Sequence, residues 1–260
     1  MRAIVVSQIG EVFLDDEPDA LFALDSREAS LYTEVSAGLH SFHVVPDLNP
    51  DRGVGPFEFE LEPDQKYTLV VYTVDPDSDD ILELLLVPDD DQGIAPDQAR
   101  LHVIHVSEAM GWWPNGLEFD LLNIADPPTM LVDDLGYLES AYVDVPAGLL
   151  VIGLDPHDDM IPHWIRELPD LPGGSLVNIY TSDGPAYGGD PAVLVHFADA
   201  TVHDLGPTWP YGQCGDGKIQ LSESCEGEDF AGATCVSLGF VGGDLECDDD
   251  CEIDYSGCFD

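Results

Sequence analysis

The chain is short of positive charge. Its 260 residues include 7 Lys and Arg against 53 Asp and Glu, so the formal net charge at pH 7 is −46. A basic surface for nucleic acid is therefore excluded, and an anionic membrane surface would repel the chain. Disorder is not expected, because 44% of the residues are hydrophobic and 9% are aromatic. These values indicate a folded, very acidic protein without a nucleic-acid partner.

Cysteine is absent from the first 213 residues, which excludes a cysteine nucleophile there. An even number of cysteines in a short segment indicates a disulfide framework, which forms in an oxidising compartment. Zinc is the alternative, but the closest pair encloses three Asp residues and this segment has no His. The spacing does not choose among the pairings. The cysteines of this framework are Cys214, Cys225, Cys235, Cys247, Cys251 and Cys258.

Long apolar runs are also missing. No stretch approaches the roughly 18 apolar residues of a membrane-spanning helix, so membrane insertion is not expected. The start of the chain, Met1–Gly10, has one Arg and an apolar patch at Ala3–Val6, too short for the apolar core of a signal peptide. Because the cysteines indicate an extracellular or outer cell-surface location, we expect an export signal upstream of Met1.

Recognisable catalytic motifs are absent. The sequence contains no Gly-x-Ser-x-Gly elbow, P-loop, Gly-x-Gly-x-x-Gly fingerprint or His-Glu-x-x-His pair. His102 and His105 are three residues apart on a predicted strand, so they face opposite sides and cannot share a metal. We interpret His105 as a structural hydrogen-bonding residue. The chain is therefore predicted not to be an enzyme.

An internal repeat is present instead. The offsets between its matching segments are 110, 108 and 109 residues, and the order is kept. A period this long indicates two domains rather than the stacked units of a solenoid. The matches are Leu31–Leu39 with Ala141–Leu149, Val71–Asp75 with Ile179–Asp183, and Leu84–Val87 with Val193–His196.

Each copy is predicted to be a β-sandwich. Phe57–Leu61 alternates apolar and polar residues, as a half-buried strand does. Tyr67–Val74 and Leu101–Val106 are rich in β-branched and aromatic residues and suit central strands. No segment shows a long helical period. The sequence thus predicts an all-β chain with a sandwich over residues 1–97, a second over 98–205, and a linker with a disulfide-rich module over 206–260.

Short segments of both copies resemble the secreted bacterial family known as domain of unknown function 4397. They are Ala99–Ser107, Leu117–Asp120 and Tyr142–Gly148 in copy two, and Val35–Gly38 and Gln65–Thr68 in copy one. The resemblance implies immunoglobulin-like β-sandwiches at the cell surface, with no established chemistry. Copy one lacks the opening strand of the family, so we expect its N-terminal strand to be truncated.

The cysteine segment resembles a module that ends many secreted bacterial proteins. The resemblance follows Cys214–Gly217, Glu223–Gly227, Ala233–Cys235 and Leu238–Cys247, and continues to Cys258. It implies secretion or surface display, without enzymatic activity.

Two groups of carboxylates are candidate calcium sites, because calcium prefers oxygen ligands. The first loop is not an EF-hand, since Asp80 stands where that motif has Gly. An ordinary solvated acidic hairpin is the alternative reading. The candidate ligands are Asp75, Asp77 and Asp79 in the first copy, and Asp216, Glu223, Glu226 and Asp229 in the cysteine segment.

The adjacent Trp112 and Trp113 are candidates for contact with a sugar or a protein partner. The alternative is that one of them closes the end of the sandwich. We therefore predict a non-enzymatic exported or surface protein that acts as a structural spacer or adhesion module. The alternative function is a calcium- or carbohydrate-binding extracellular module, with an extracellular protein or a glycan as partner and calcium as the one candidate cofactor.

Overall fold

The structure is a computed structural model, and its main regular elements are β-strands. All regular elements in the described ranges are β-strands, so the predicted all-β class is confirmed. The chain divides into two compact units, Met1–Pro207 and Thr208–Asp260. The described residues are 1–6, 10–15, 17–46, 53–73, 82–107, 118–124, 127–156, 160, 162, 164–183, 191–205, 225, 227, 229–230, 233–248 and 253–259.

The N-terminal unit is built from strands of three to nine residues. They are β1 (Arg2–Val5), β2 (Gly10–Leu14), β3 (Phe22–Leu24), β4 (Gly38–Pro46), β5 (Val54–Leu61), β6 (Lys66–Thr73), β7 (Leu82–Asp89), β8 (Gln98–Val106), β9 (Phe119–Asn123), β10 (Thr129–Leu135), β11 (Ser140–Pro146), β12 (Val151–Asp155), β13 (Trp164–Glu167), β14 (Ser175–Asp183), β15 (Pro191–His196) and β16 (Val202–Leu205).

The first sandwich packs the sheet β1-β6-β7 against the sheet β3-β2-β4-β5. Its core includes Ala3, Phe42 and Leu69, each fully buried. The opening strand of copy one, β1, has four residues and runs parallel to β6 with Arg2 opposite Thr68. It corresponds in pairing to β8, which runs parallel to β14.

The second sandwich packs the sheet β11-β8-β14-β15-β16 against the sheet β10-β9-β12-β13. Leu101, Leu121, Ile152 and Ile179 lie in its core and are fully buried. The two copies therefore have the same two-layer design. The sheet that contains β8 has five strands, whereas the corresponding sheet β1-β6-β7 of the first copy has three.

The inner sheets β1-β6-β7 and β11-β8-β14-β15-β16 also pack against each other, and we call this contact the joint. Side chains alternate along β6, so Leu69 and Val71 enter the first core while Val70 and Tyr72 enter the joint. Burial on both faces explains why these strands are apolar almost throughout. The apolar residues of the joint are Ile4, Val6, Val70, Tyr72, Val87, Ile104, Val106, Tyr180 and Leu194.

The C-terminal unit contains the short strands β17 (Gly242–Gly243), β18 (Glu246–Cys247), β19 (Ile253–Asp254) and β20 (Cys258–Phe259), paired β17 with β20 and β18 with β19. Disulfides join Cys225 to Cys247 and Cys235 to Cys258. The predicted disulfide framework is confirmed for these four cysteines, while Cys214 and Cys251 lie outside the described residues.

Candidate functional site

Arg2 lies at the centre of the joint. It is only 1% exposed, because alternation along β1 directs it away from the first core and toward the second sandwich. Its Nε donates to Thr68 Oγ1 at 2.8 Å, and its Nη1 donates to the Phe197 carbonyl oxygen at 3.2 Å. The guanidinium also lies over the Tyr32 ring, 4.7 Å from the ring centroid. Arg2 therefore links β1 and β6 of the first copy to the end of β15 in the second.

Asp89 supplies the opposite charge. It ends β7, is 2% exposed, and its Oδ1 lies 3.5 Å from Arg2 Nη2. Its carboxylate accepts hydrogen bonds from Thr68 Oγ1 at 2.6 Å, Tyr32 Oη at 2.7 Å and Asn178 Nδ2 at 3.1 Å. Burial acts to raise the pKa of Asp89, but the Arg2 charge and these hydrogen bonds outweigh it and hold the pKa below its ordinary value. Asp89 is thus an ionised acceptor in the joint.

The buried ion pair lies within the first copy, but both of its members also have hydrogen-bond partners in the second. Removing one member of a buried pair typically costs about 3–5 kcal/mol, since the other charge stays in a low-dielectric site. Asn178 comes from β14 of the second copy, whereas Asp89 belongs to the first. The joint therefore depends on polar partners that only the packed arrangement of both copies provides.

His196 completes the contact with Arg2. Its Nε2 lies 3.3 Å from Arg2 Nη1, and its Nδ1 lies 3.4 Å from the Tyr180 hydroxyl. A guanidinium can only donate, so Nε2 must be the unprotonated acceptor and the ring proton must be on Nδ1. Burial, together with the nearby Arg2 charge, lowers the pKa of His196 to about 3. The closed joint therefore contains neutral His196.

His102 is the second buried imidazole of the joint. Its ring stacks on Tyr142, with 4.0 Å between the ring centroids, and its Nδ1 lies 4.0 Å from Asp89 Oδ1. Among the described residues, neither ring nitrogen has a hydrogen-bond partner. Burial lowers the pKa of His102 to about 4, although the Asp89 carboxylate acts in the opposite direction. His102 is therefore also neutral at pH 7.

Ion pairs at the rim reinforce the buried pair. Arg27 of the first copy pairs with Asp204 of the second. Arg100 of the second copy donates to Asp90 Oδ2 of the first at 2.8 Å. Among the few cations that the structure describes, three thus reach across the joint: Arg2, Arg27 and Arg100. Much of the described positive charge therefore lies at contacts between the two sandwiches.

A cleft of about 280 Å³ lies at one side of the joint. Lys66, which forms an ion pair with Asp91, stands at its wall with its ammonium 5.3 Å from the Tyr32 ring centroid. Both charges of this wall are therefore already paired. The lining residues are Arg2, Tyr32, Lys66 and Asp91 of the first copy and Gly174, Ser175, Leu176 and Ala198 of the second.

Most residues predicted to form a site fall outside the described residues. Asp229 is described and is exposed in the C-terminal unit. Calcium binding and contact through the tryptophans therefore stay predictions. The residues outside the described ranges are Asp75, Asp77, Asp79, Trp112, Trp113, Asp216, Glu223 and Glu226.

The structure brings together three carboxylates that the sequence did not single out. Ligand atoms of Asp120, Asp133 and Asp134 lie within 4.8 Å of one another. A register shift in β10 between Val132 and Leu135 places the last two beside β9. Groups of this kind are common on acidic surfaces, and this one by itself defines no cation site.

His105 faces away from the joint, as its spacing from His102 predicts. Its Nδ1 lies 2.7 Å from Thr181 Oγ1, and its ring meets Phe119 edge-on with 4.9 Å between the centroids. This arrangement agrees with its interpretation as a structural hydrogen-bonding residue.

The polar residues of the joint were not predicted. The sequence showed Arg2 only as a single charge within Met1–Gly10 and did not single out Asp89, whereas both are buried partners. One signal was available in the sequence. Polar residues such as Thr68, His102 and Asn178 interrupt strands that are otherwise apolar on both faces, and buried polar groups need partners.

The comparisons with known proteins support part of the family resemblance. The family described as Domain of unknown function (DUF4397) matches residues 10–112, a range that begins with β2 and extends past β8. The match covers most of the first copy and the first strand of the second. The second copy of this domain, and the resemblance of the cysteine segment to a module that ends secreted bacterial proteins, stay predictions. Among curated proteins, none matches the chain.

One solved structure, the Bacillus anthracis TIE protein, is similar over 81% of this chain at 11% sequence identity and a TM-score of 0.23. The chain spans 43% of the length of that structure. A likeness at this TM-score carries no argument about fold or function. Separately, the described residues include no helix with the length and apolar character needed to cross a membrane.

Proposed function

We propose that the chain is a non-enzymatic extracellular or cell-surface protein in which two sandwiches form one fixed spacer for adhesion or interaction. The observation that carries the proposal is the joint. Domains connected by a flexible linker usually meet through modest, polar contacts and move relative to each other. Here the two copies share an apolar cluster, and the buried Arg2–Asp89 pair of the first copy is hydrogen-bonded to Phe197 and Asn178 of the second.

The chemistry of the joint favours a fixed geometry. If the inner sheets separated, Arg2 would lose His196 and the Phe197 carbonyl, and Asp89 would lose Asn178. Each such loss is unfavourable unless water replaces the partner. A spacer needs this property, because its length is defined only if its domains keep one relative orientation.

The disulfides support an extracellular setting. The bonds Cys225–Cys247 and Cys235–Cys258 are of the kind that form and persist in oxidising compartments. A small unit crosslinked in this way also suits an exposed position, since crosslinks limit the unfolding that proteases exploit.

Relaxation of backbone ¹⁵N nuclei in the full chain tests the fixed joint. A single rotational correlation time for β4 and β5 of the first sandwich and for β9 and β12 of the second is expected at pH 7.4. Two clearly different correlation times would show independent domains and would overturn the spacer.

Location and the lack of catalysis need separate tests. Labelling of intact source cells or their medium with a membrane-impermeant amine reagent is expected to find the protein outside. Purified protein is expected to leave a broad panel of glycosidic, ester and peptide substrates intact. Turnover of any of them would contradict the non-enzymatic assignment, even if the spacer geometry held.

A further inference from the structure

We propose that the joint is acid-labile: proton uptake by His196 and His102 separates the two inner sheets while each sandwich stays folded. This inference rests on the proposed function, a fixed joint between the sandwiches, and adds that pH regulates the joint.

The geometry around His196 leaves no place for a second ring proton. Nε2 accepts from Arg2 Nη1 at 3.3 Å, so a proton on Nε2 would put two donors and two positive charges at that distance. The other groups that face this ring are the Tyr180 hydroxyl on Nδ1 and the more distant carboxylates of Asp89 and Asp199. Asp89 is already paired with Arg2, and Asp199 is exposed. A protonated His196 is therefore compatible only with a separated joint.

His102 adds a second charge to the same region. Its ring stacks on Tyr142, and its Nδ1 lies 4.0 Å from Asp89 Oδ1. The positive charge of Arg2 is close enough to disfavour protonation of this ring. One carboxylate, Asp89, would then face three cations when both histidines are protonated. Separation would let both imidazoles reach water, where their ordinary pKa of 6.5 applies.

Opening is expected to affect only the joint, because the side chains of both histidines face the joint and not a sandwich core. His196 and His102 lie on the outer face of the second sandwich, and their strand neighbours Val195 and Leu101 lie in its core. Protonation therefore acts between the sandwiches rather than within one. Linked proton uptake should raise the opening equilibrium constant by up to about tenfold per pH unit for each histidine, between about pH 6.5 and pH 4.

Two neighbouring positions of β6 make a matched test. Val70 is fully buried in the joint and Val71 is fully buried in the first core. In the full chain, Val70→Cys and Val71→Cys are labelled with a dipyridyl disulfide from pH 7.4 to pH 5.0, and rates are divided by that of a free thiol. Labelling of Val70→Cys is expected to accelerate by up to about 100-fold per pH unit, and that of Val71→Cys to change far less. Ile104→Cys, also buried in the joint, replaces Val70→Cys if that variant does not fold.

Variants of the histidines assign the effect. His196→Gln keeps an oxygen acceptor for Arg2, and His102→Phe keeps the ring stacked on Tyr142. Together they are expected to remove most of the acid acceleration at position 70, whereas His203→Gln, at an exposed histidine, should leave it unchanged. Equal acceleration at positions 70 and 71, or acceleration that survives the double variant, would overturn the inference.

The failures of the two proposals are distinguishable. If Val70→Cys is labelled at pH 7.4 as fast as a free thiol, the joint is open and the fixed spacer fails. If labelling is slow at pH 7.4 and stays slow at pH 5.0, the spacer stands and only the acid-labile joint is wrong.

Discussion

The N-terminal unit holds together without any cysteine, whereas the C-terminal unit relies on disulfides. The first buries three apolar clusters and a charged network. In the described part of the second, the buried residues are the half-cystines Cys225 and Cys235, while Val236, Val241 and Phe259 are exposed. The difference reflects size, because a short segment cannot bury enough apolar surface to fold by packing alone.

Reduction should separate the two units most sharply. Dithiothreitol is expected to unfold the C-terminal unit, because each bridge contributes about 2–4 kcal/mol, and to leave the melting transition of the N-terminal unit in place. Heteronuclear NMR spectra before and after reduction check this, with unreduced, alkylated protein as the control. Dispersed C-terminal resonances after complete reduction would contradict the comparison.

Breaking the buried ion pair is expected to have the next largest effect on stability. Arg2→Met is expected to destabilise the N-terminal unit by about 3–5 kcal/mol, since it leaves Asp89 charged and buried. Urea denaturation at pH 7.4 measures this loss. Adding Asp89→Leu should recover much of it, because the unpaired charge is then removed.

Arg100→Met is the matched control for this experiment. Its partners Asp90 and Asp144 lie at the rim, where an exposed pair contributes up to about 1 kcal/mol. An equal loss for Arg2→Met and Arg100→Met would contradict a special role for burial.

The pKa values of the histidines are expected to differ according to their environment. Burial lowers the pKa of His196 and His102, so their contribution to stability is complete above about pH 6.5 and declines as pH falls toward about 4. His40 has the opposite sign: its hydrogen bond to Asp15 raises its pKa, so its contribution is complete below pH 6.5 and is lost as pH rises through the raised value. NMR titration of the imidazole resonances from pH 8 to pH 6, where the joint is expected to stay closed, should show a transition for His40 and none for the buried pair. A midpoint near 6.5 for His196 would disprove this division.

Salt should have the smallest effect. The net charge of −46 is spread over both units, and screening of its self-repulsion is expected to raise the melting temperature with sodium chloride by a few degrees. Calorimetric scans from about 0.05 to 1 M salt check this expectation. An unchanged or falling melting temperature would show that screening of the rim ion pairs at Arg27 and Arg100 outweighs relief of the repulsion.

Much of the architecture could be predicted from local patterns. The β-branched and aromatic residues of Tyr67–Val74 and Leu101–Val106 indicated central strands, and the described residues of both segments lie in sheets buried on two faces. The cysteine spacing indicated a crosslinked module, and two disulfides are present in the described part. Such features depend on composition and short-range periodicity, which the sequence displays directly.

The site could not be predicted in this way. Arg2 and His196 are separated by 194 positions, yet their nitrogens are 3.3 Å apart. No local pattern encodes that contact, because it depends on the parallel pairing of β1 with β6 and on which faces of the inner sheets meet. The sequence by itself determined strands, copies and crosslinks. Only the tertiary structure decided that Arg2, Asp89 and the two neutral histidines share one joint, because partners for buried charge are chosen by packing rather than by position in the chain.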